Sequence, residues 1–233
     1  MIINKEFFDY IFPSKEVISH KPNVDYDTNN VIFKNILIFA YQGSGKSSTV
    51  NSIVQEAINR YGLSNVNARV SEEGDVGSLM RWGLRRTLVN ILFADNATLR
   101  KQDRSTLMNY FRIRHLFKNR YGMSNGYILS LISVHRFYSI PIELRSNMSG
   151  IIFKDTSLNP YDERVIKKFI GSDFLHFLEE ASEKRDETPE MKDFSVFVGR
   201  NGFSGIISLP LGNKNYLSPV LDIGEILSRI GRR

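Results

Sequence analysis

Short apolar runs alternate along the chain with segments in which apolar residues recur at helical spacing. The runs typical of buried strands occupy residues 31–39, 66–70, 88–94, 127–134 and 150–153. Helices are predicted between them, over residues 48–61, 76–87 and 99–121. Because strands that alternate with helices pair in parallel, the pattern predicts an α/β fold, a three-layer sandwich with a central, mainly parallel sheet covered on both faces.

An N-terminal segment and a C-terminal part flank this core. Residues 1–30 carry an aromatic cluster that is ended by Pro13 and is expected to dock on the core. No internal repeat and no linker divides the sequence, so we expect one domain. Its core, with the candidate site, would span residues 31–160, and C-terminal helices and a hairpin would span residues 161–233.

The C-terminal part alternates charged and apolar segments. Residues 161–171 and 172–184 are predicted to be helical, with a charged loop over 179–193 and a final helix over 220–230. Asn201-Gly202 lies between two apolar alternating segments. An Asn-Gly pair in that position predicts a β-hairpin, because both residues tolerate the positive φ angles of a tight turn.

The first predicted strand runs into a phosphate-binding loop pattern, which residues 40–48 match with Ala40 in place of the usual first glycine. Glycines in such a loop let backbone N–H groups turn inward around an anion, and the following helix adds positive dipole. Lys46 is expected to reach the β- and γ-phosphates, and the Ser47 hydroxyl to hold Mg²⁺. The candidate ATP-binding residues are Ala40, Tyr41, Gln42, Gly43, Ser44, Gly45, Lys46, Ser47 and Ser48.

A phosphate loop needs a carboxylate on a neighbouring strand to hold the hydrated Mg²⁺. Asp95 directly follows the third predicted strand and is expected to be this ligand, with a helix-capping role as the alternative. Asn96 comes next, and an amide can orient a water molecule but cannot accept its proton. Either Glu72 or Glu73, in the loop after the second strand, accepts that proton, or hydrolysis is slow.

Further polar side chains are candidates for contacts to the reacting phosphate. His135 follows the fourth predicted strand, where it would touch the γ-phosphate or the attacking water, or else cap a helix at the surface. Arg81 shares a predicted helix with Arg85 and Arg86, and Arg145 lies ten residues after His135. These arginines are either a solvated face or the source of a trans-acting cation that stabilises transition-state charge.

Composition limits the classes of partner. The 233-residue chain has a net charge of +6 and an isoelectric point near 9.4, which favours a polyanionic partner or serves solubility alone. No apolar run is long enough to cross a membrane. Cysteine is absent, which excludes disulfides, thiolate zinc sites and cysteine nucleophiles. The N-terminus has no signal-peptide pattern, so we expect the protein to act in the cytoplasm.

The predicted helix over residues 99–121 is strongly basic. Only Asp103 opposes its cations, which are Arg100, Lys101, Arg104, Arg112, Arg114, Lys118 and Arg120. Cations at this density favour contacts to nucleic-acid phosphates and counterion release, and nothing in the segment indicates base reading. We therefore expect sequence-tolerant binding of duplex DNA, with a solvated basic face as the alternative.

Four local strings, in their order along the chain, resemble the FtsK/HerA superfamily of DNA-pumping ATPases. They are residues 40–48, 79–82, 91–95, and 133–136 together with 140–153. His135 and Arg136 stand where that superfamily has a polar residue, often Gln, followed by Arg. Asn147 stands at the position of its asparagine before the next strand. Asn96 departs from the Asp-Glu pair of the superfamily, and His135 from its commoner Gln.

The resemblance covers residues 31–209 and implies a P-loop NTPase of the RecA-like (ASCE) type with an additional central strand. It also implies a ring oligomer, expected to be a hexamer, with double-stranded DNA in its pore and the Arg81 region facing the neighbour's nucleotide. Small single-domain members are viral genome-packaging ATPases. A viral protein of this kind would act in the host cytoplasm or in association with the virion, with a capsid or membrane protein as a further partner.

Several functions compete on the sequence alone. The leading expectation is an ATP-driven motor that translocates double-stranded DNA. A replication-initiator or helicase-loader ATPase would instead switch with its nucleotide, and a nucleotide-gated scaffold with weak hydrolysis would fit Asn96. A small-molecule kinase is disfavoured, because the arginine-rich lid and acceptor pocket typical of such kinases are not evident in the sequence.

Overall fold

The structure is a computed structural model that describes residues 2–20, 29–41, 43–97, 104–154, 158–171, 173–187, 194–209 and 215–220. Its strands are β1 (Asn30–Phe39), β2 (Val66–Ser71), β3 (Val89–Ala94), β4 (Asn125–Val134), β5 (Gly150–Phe153), β6 (Phe194–Gly199), β7 (Ser204–Ser208) and β8 (Ser218–Pro219). Its helices are α1 (Asn4–Ile11), α2 (Lys15–Ser19), α3 (Lys46–Tyr61), α4 (Val76–Ser78), α5 (Arg104–Phe111), α6 (Ile113–Tyr121), α7 (Ile142–Ser146), α8 (Pro160–Ile170) and α9 (Asp173–Glu187). None of these helices is long and apolar enough to span a membrane.

The described strands form one sheet in the order β7-β6-β5-β1-β4-β3-β2-β8. Six of them run parallel, from β5 to β8 in this order, and β6 and β7 add an antiparallel hairpin at the other edge. The predicted mainly parallel sheet and the C-terminal hairpin are therefore confirmed. Because β1, β4 and β3 are neighbours, the loops that follow them meet at one end of the sheet.

Both faces of the sheet are covered, as expected for a three-layer α/β sandwich. Strand β1 shows this most directly, because it sends Leu37 and Phe39 into one apolar cluster and Ile36 and Ile38 into the other. Helices α6, α8 and α9 cover the first face, and α1, α2 and α3 cover the second. Burial on both faces explains why the strands are continuous apolar runs rather than alternating ones.

The N-terminal segment packs on the sheet, as its aromatic cluster predicts. Phe7 and Ile11 of α1 are fully buried, and the ring of Phe7 contacts that of Phe197 edge-on at 4.9 Å. The backbone N–H of Ile3 donates to Ile206 O (2.8 Å), so the segment before α1 runs beside β7. Residues 2 and 3 therefore cover the outer edge of β7 at Ile206.

The predicted helix over residues 76–87 is wrong beyond Gly83. One turn of α-helix, α4, passes into a π-helical turn at Leu79–Gly83, and the chain then becomes extended at Leu84, with ψ 143°. Leu84 is fully buried, and the side chain of Asn90 bonds both the N–H and the C=O of Arg85. These long-range contacts replace helical hydrogen bonds, so Arg85 and Arg86 lie in a loop.

The predicted helix over residues 99–121 and the predicted charged loop over 179–193 also need correction. Residues 98–103 lie outside the described part, and the rest forms two helices, α5 and α6, separated at Arg112 (φ −96°, ψ 12°). Helix α9 continues to Glu187, and within it Leu178 and Ala181 pack into the core whereas Glu179, Glu180 and Glu183 are exposed. Residues 188–193 and the predicted final helix over 221–230 lie outside the described residues.

Candidate functional site

The chain turns sharply between β1 and α3, where the phosphate-binding loop was predicted. Ala40 is fully buried and its N–H donates to Val134 O (3.1 Å), which ties the start of the loop to β4. Gly43 and Gly45 adopt φ values of 81° and 80°, the left-handed region that favours glycine. Ser44 Oγ donates to Tyr41 O (2.7 Å) across the turn. Gln42 lies outside the described residues.

Helix α3 begins directly behind this turn with donors available for an anion. Its N-cap is Gly45, which has no side chain to satisfy the first N–H groups of the helix. Lys46 is buried, with 8 % of its surface exposed, whereas Ser47 is exposed beside it. Backbone N–H groups, a lysine ammonium and a helix dipole in one concave turn are the donor set that a polyphosphate requires. The residues present therefore fit the predicted nucleotide.

Asp95 lies at the end of β3 and is held there by β4. Its Oδ1 accepts a hydrogen bond from Ser133 Oγ (2.7 Å), and the same hydroxyl oxygen accepts from the N–H of Asn96 (2.8 Å). The N–H of Ala97 donates to Ser133 O (2.9 Å). Ser133 therefore fixes the orientation of the carboxylate that sequence analysis predicts as a Mg²⁺ ligand.

Asn96 has a backbone reason to be asparagine. Its φ is 55°, the one positive value among the described non-glycine residues. Asparagine tolerates this left-handed conformation better than glutamate does, because its short polar side chain can bond locally. Asn96 is exposed directly after Asp95. The left-handed backbone at this position therefore favours asparagine over the glutamate of the Asp-Glu pair that the resemblance led us to expect.

The two candidate bases, Glu72 and Glu73, are exposed in the loop after β2. This loop packs tightly on the Asp95 turn: Asp95 N donates to Ser71 O (2.9 Å), and a methyl group on Gly74 would lie only 2.4 Å from Ala97 Cα. The carboxylates therefore belong to a loop that is fixed next to the predicted metal ligand.

His135 connects β4 to the phosphate loop. Its Nδ1 lies 2.7 Å from Ala40 O. Because a carbonyl oxygen only accepts, Nδ1 must carry the proton in this contact, and in the neutral ring Nε2 remains an acceptor. The histidine is half-buried at the carboxyl end of the sheet, which agrees with the predicted position near the phosphates.

The two candidate arginines occupy different places, and a methyl group on Gly77, shortly after the Glu72–Glu73 loop, would lie 3.8 Å from Arg81 Nη2. Arg81 is exposed on the π-helical turn, and its carbonyl accepts a hydrogen bond from Arg120 Nη1 (2.7 Å). Arg145 belongs to α7, which leads into the amino end of β5, opposite to the end that meets the phosphate loop. Its half-buried side chain has a lowered pKa because of desolvation, and its Nε is buried without a partner.

A basic side chain that sequence analysis missed lies against the phosphate loop. Lys154 directly follows β5, its N–H donates to Phe39 O (2.9 Å), and 7 % of its surface is exposed. A methyl group on Gly45 would lie 3.6 Å from Lys154 Nζ. The only sign of Lys154 in the sequence is that a cation directly follows an apolar strand. The pairing of β5 with β1 is what reveals that Lys154 lies close to the phosphate loop. Ser133, a polar residue inside an apolar strand, was missed in the same way.

The predicted DNA-binding cations have different environments. Arg112 and Arg114 are exposed on the outer side of α6 and its start, whereas Ile113 and Phe117 face the core. Arg120 instead donates to the carbonyls of Met80 (3.0 Å) and Arg81. Arg100 and Lys101 lie outside the described residues, as does the side chain of Arg104.

The order of strands decides the fold. Strand β4 lies between β1, which carries the phosphate loop, and β3, which carries Asp95. The chain matches the structure of B204, the DNA-packaging ATPase from Sulfolobus turreted icosahedral virus, with a TM-score of 0.51 at 15% identity, over 76% of this chain and 98% of that chain. The fold is that of a P-loop ATPase.

Two further solved structures match the P-loop ATPase fold of this chain with lower TM-scores. One is the genome packaging NTPase B204 from Sulfolobus turreted icosahedral virus 2 with AMPPCP (TM-score 0.49, 14% identity, 76% of this chain and 98% of that chain). The other is the N-terminal domain of zonular occludens toxin from Neisseria meningitidis (TM-score 0.38, 10% identity, 77% of this chain and 95% of that chain). No family model and no curated protein matches the sequence. The match to B204 from Sulfolobus turreted icosahedral virus and the position of β4 between β1 and β3 confirm the predicted P-loop fold with its additional central strand.

Proposed function

We propose that the chain is an ATPase that translocates double-stranded DNA, and that its role is the packaging of a viral genome. The observation that carries the proposal is the cluster at the carboxyl end of β1, β4 and β3. Buried Lys46 lies behind a glycine turn, and Ser133 holds Asp95 two strands away. Support also comes from the fold shared with a DNA-packaging ATPase.

Different residues of this cluster would bind the ATP phosphates and the Mg²⁺. The N–H groups of the loop and Lys46 would hold the phosphates, while Ser47 and Asp95 would hold the Mg²⁺. Such a metal needs few protein ligands, because phosphates and waters complete its shell. In the described part of the chain, no three His, Cys, Asp or Glu side chains gather as a metal cluster.

Bound ATP would supply a γ-phosphoryl group for transfer to water. His135 Nε2 and the Asn96 amide are then the groups that orient the water, and Glu72 or Glu73 is the candidate to accept its proton. Ser133 keeps the Asp95 carboxylate aimed through its hydrogen bond of 2.7 Å. One of the candidate arginines, Arg81 or else Arg145, is proposed to act across a subunit interface, as the resemblance implies for the Arg81 region.

The proposed partners follow from charge and from the shared fold. Arg112 and Arg114 present positive charge to solvent on α6, which suits the phosphates of duplex DNA of any sequence. A ring, expected to be a hexamer, would surround the DNA, and a capsid or membrane protein would dock the ring. The place of action would be the host cytoplasm or the virion.

Steady-state ATP hydrolysis with and without duplex DNA tests the proposal. We expect Mg²⁺-dependent turnover that increases with duplexes of unrelated sequence. A second candidate, a nucleotide-gated scaffold, is favoured by Asn96 alone, since an amide cannot act as a base. Tight binding of ATP with no turnover at any DNA concentration would select the scaffold and contradict the motor. Turnover that needs a small acceptor and ignores DNA would contradict both.

A further inference from the structure

Two lysines approach the phosphate loop from opposite sides. Lys46 starts α3, and Lys154 comes from the end of β5, the strand next to β1. Lys154 is as deeply buried as Lys46, with 7 % and 8 % of their surfaces exposed. Its Nζ would lie 3.6 Å from a methyl group placed on Gly45, the residue that caps α3.

This arrangement gathers positive charge at one point. The N-terminus of a helix carries about half a positive charge, which attracts anions and repels cations. Lys154 nevertheless places its ammonium beside Gly45, the N-cap of a 16-residue helix whose first residue is Lys46. An exposed lysine would extend into water instead. Because its Nζ would lie 3.6 Å from a methyl group on Gly45, Lys154 is within reach of an anion bound at this turn, and a second lysine there suits a ligand with several negative charges.

The backbone fixes Lys154 in this place. Residues 36–39 of β1 pair in register with β5, and the N–H of Lys154 continues that ladder by donating to Phe39 O (2.9 Å). Phe39 is the residue immediately before the phosphate loop. The Cα of Lys154 therefore cannot move away without breaking the last hydrogen bond between two central strands.

We propose that Lys154 is a second phosphate-binding lysine, which contacts the phosphate chain of the nucleotide held by Lys46 of the same subunit. The proposal rests on the proposed nucleotide site and adds to it a cation in cis that the sequence did not reveal. Lys154 would stabilise negative charge on the phosphates from the β5 side, while Lys46 does so from the α3 side. The ligand class is a nucleoside di- or triphosphate, because a monophosphate carries too little charge to need both lysines.

Equilibrium binding of an ATP analogue, ADP and AMP to single-site variants tests this role. Lys154→Gln and Lys154→Met remove the charge, and Lys154→Arg keeps it. Lys34→Gln is the matched control, since Lys34 is a half-buried lysine of β1 that bonds Tyr10 O, away from the loop. Removing a charge-assisted hydrogen bond from the site lowers affinity about 10- to 100-fold. We expect this reduction for the triphosphate in both uncharged variants, a smaller one for AMP, and partial recovery in Lys154→Arg.

The comparison with Lys46→Ala separates the two proposals. If Lys46→Ala loses triphosphate binding while folded Lys154→Gln or Lys154→Met binds like the parent, the role of Lys154 is wrong and the nucleotide site stands. If Lys46→Ala also binds like the parent, the nucleotide site itself is wrong. A similar reduction for ATP analogue and AMP in the Lys154 variants would contradict a contact to the β- or γ-phosphate, on which the proposed ligand class depends.

Mixing experiments test the assignment to one subunit. Lys154→Met and Lys46→Ala damage the same site, so a mixture of the two proteins should not recover ATP turnover above the sum of its parts. Recovery on mixing would place Lys154 at the neighbour's nucleotide and overturn the assignment in cis.

Discussion

Ser133 shows how one hydroxyl can organise a site. It is fully buried in β4, donates to Asp95 Oδ1 and accepts from Asn96 N, so it joins two strands through the turn that carries the predicted metal ligand. Ser130 is a matched residue of the same strand, because it is also buried and bonds the hydroxyl of Tyr110 away from the loop. Replacing each serine in turn therefore distinguishes the effect of losing a buried hydrogen bond, which both replacements cause, from the effect of releasing the Asp95 carboxylate, which only the replacement of Ser133 causes.

We predict that Ser133→Ala raises the Mg²⁺ concentration needed for ATP turnover, whereas Ser130→Ala does not. Each variant should lower the free energy of unfolding by about 0.5–1.5 kcal/mol, because each removes a hydrogen bond of a buried serine hydroxyl. Asp95→Ala should reduce Mg²⁺-dependent turnover more than nucleotide binding. Turnover as a function of Mg²⁺, with thermal unfolding as the control, checks this prediction. An unchanged Mg²⁺ dependence in both Ser133→Ala and Asp95→Ala would place the metal elsewhere.

Gly74 is the residue on which the contact between two active-site loops depends. Its φ is 66°, and an added methyl group would lie 2.4 Å from Ala97 Cα. Gly122 offers a control with nearly the same φ, 64°, and no atom within 4 Å of the added methyl. We predict that Gly122→Ala lowers the free energy of unfolding by about 1–2 kcal/mol from the left-handed conformation alone.

Gly74→Ala should lower the free energy of unfolding by about 1–3 kcal/mol more than Gly122→Ala does, because the backbone of Ala97 must shift to relieve the overlap. Chemical denaturation of both variants measures the difference. Equal losses of stability would mean that the loop carrying Glu72 and Glu73 can move away freely from the Asp95 turn.

At the scale of elements, the apolar runs were sufficient to predict the central strands. The predicted bounds of β5 are those of the structure, and the other four predicted strands differ by one or two residues at an end. Such runs can be recognised as strands from the sequence because both faces of the sheet are buried, which makes the strands nearly continuous apolar segments. Strand β8, only two residues long and paired with β2, offered no such run.

The elements that were mispredicted depend on distant partners. The helix over residues 76–87 ends early because Asn90, on β3, bonds the backbone of Arg85, and periodicity carries no information about that contact. The places of Lys154 and Ser133 were missed for the same reason. Each is an ordinary residue in the sequence, and only the adjacency of β5, β1 and β4 brings it to the loop.

The basic face of α6 carries the prediction for DNA. Replacing Arg112, Arg114 and Lys118 together should weaken duplex binding equally for all sequences. For every DNA phosphate that a replaced side chain no longer neutralises, the slope of log K against log salt should become shallower by about 0.9. Arg120 is left intact because it bonds the carbonyls of Met80 and Arg81.

A triple replacement of exposed cations on α8, Arg164, Lys167 and Lys168, is the control of equal charge. Binding measured at several salt concentrations should respond to the first set and much less to the second. If both sets reduce the slope alike, the attraction is a general effect of net charge and α6 is not the DNA surface.

At the scale of the whole molecule, the proposed cluster within one chain contains Lys46, the proposed metal ligand Asp95, His135 and Lys154. Arg81 is exposed on the turn before β3, and Arg145 lies towards the other end of the sheet with an unpartnered Nε. We propose that an arginine in one of these places acts on the nucleotide of a second subunit.

We therefore predict that Arg81→Ala, or else Arg145→Ala, keeps ATP affinity yet lowers turnover by about 10³–10⁵, the range of an arginine supplied in trans. Mixing that variant with Lys46→Ala protein should restore part of the activity. One subunit then supplies an intact phosphate loop and the other an intact arginine at a shared interface. This recovery distinguishes an arginine in trans from Lys154, for which no recovery is expected. Parental turnover in both arginine variants, or full activity of a dilute monomer, would remove the need for a ring, because every group required for hydrolysis would then belong to one chain.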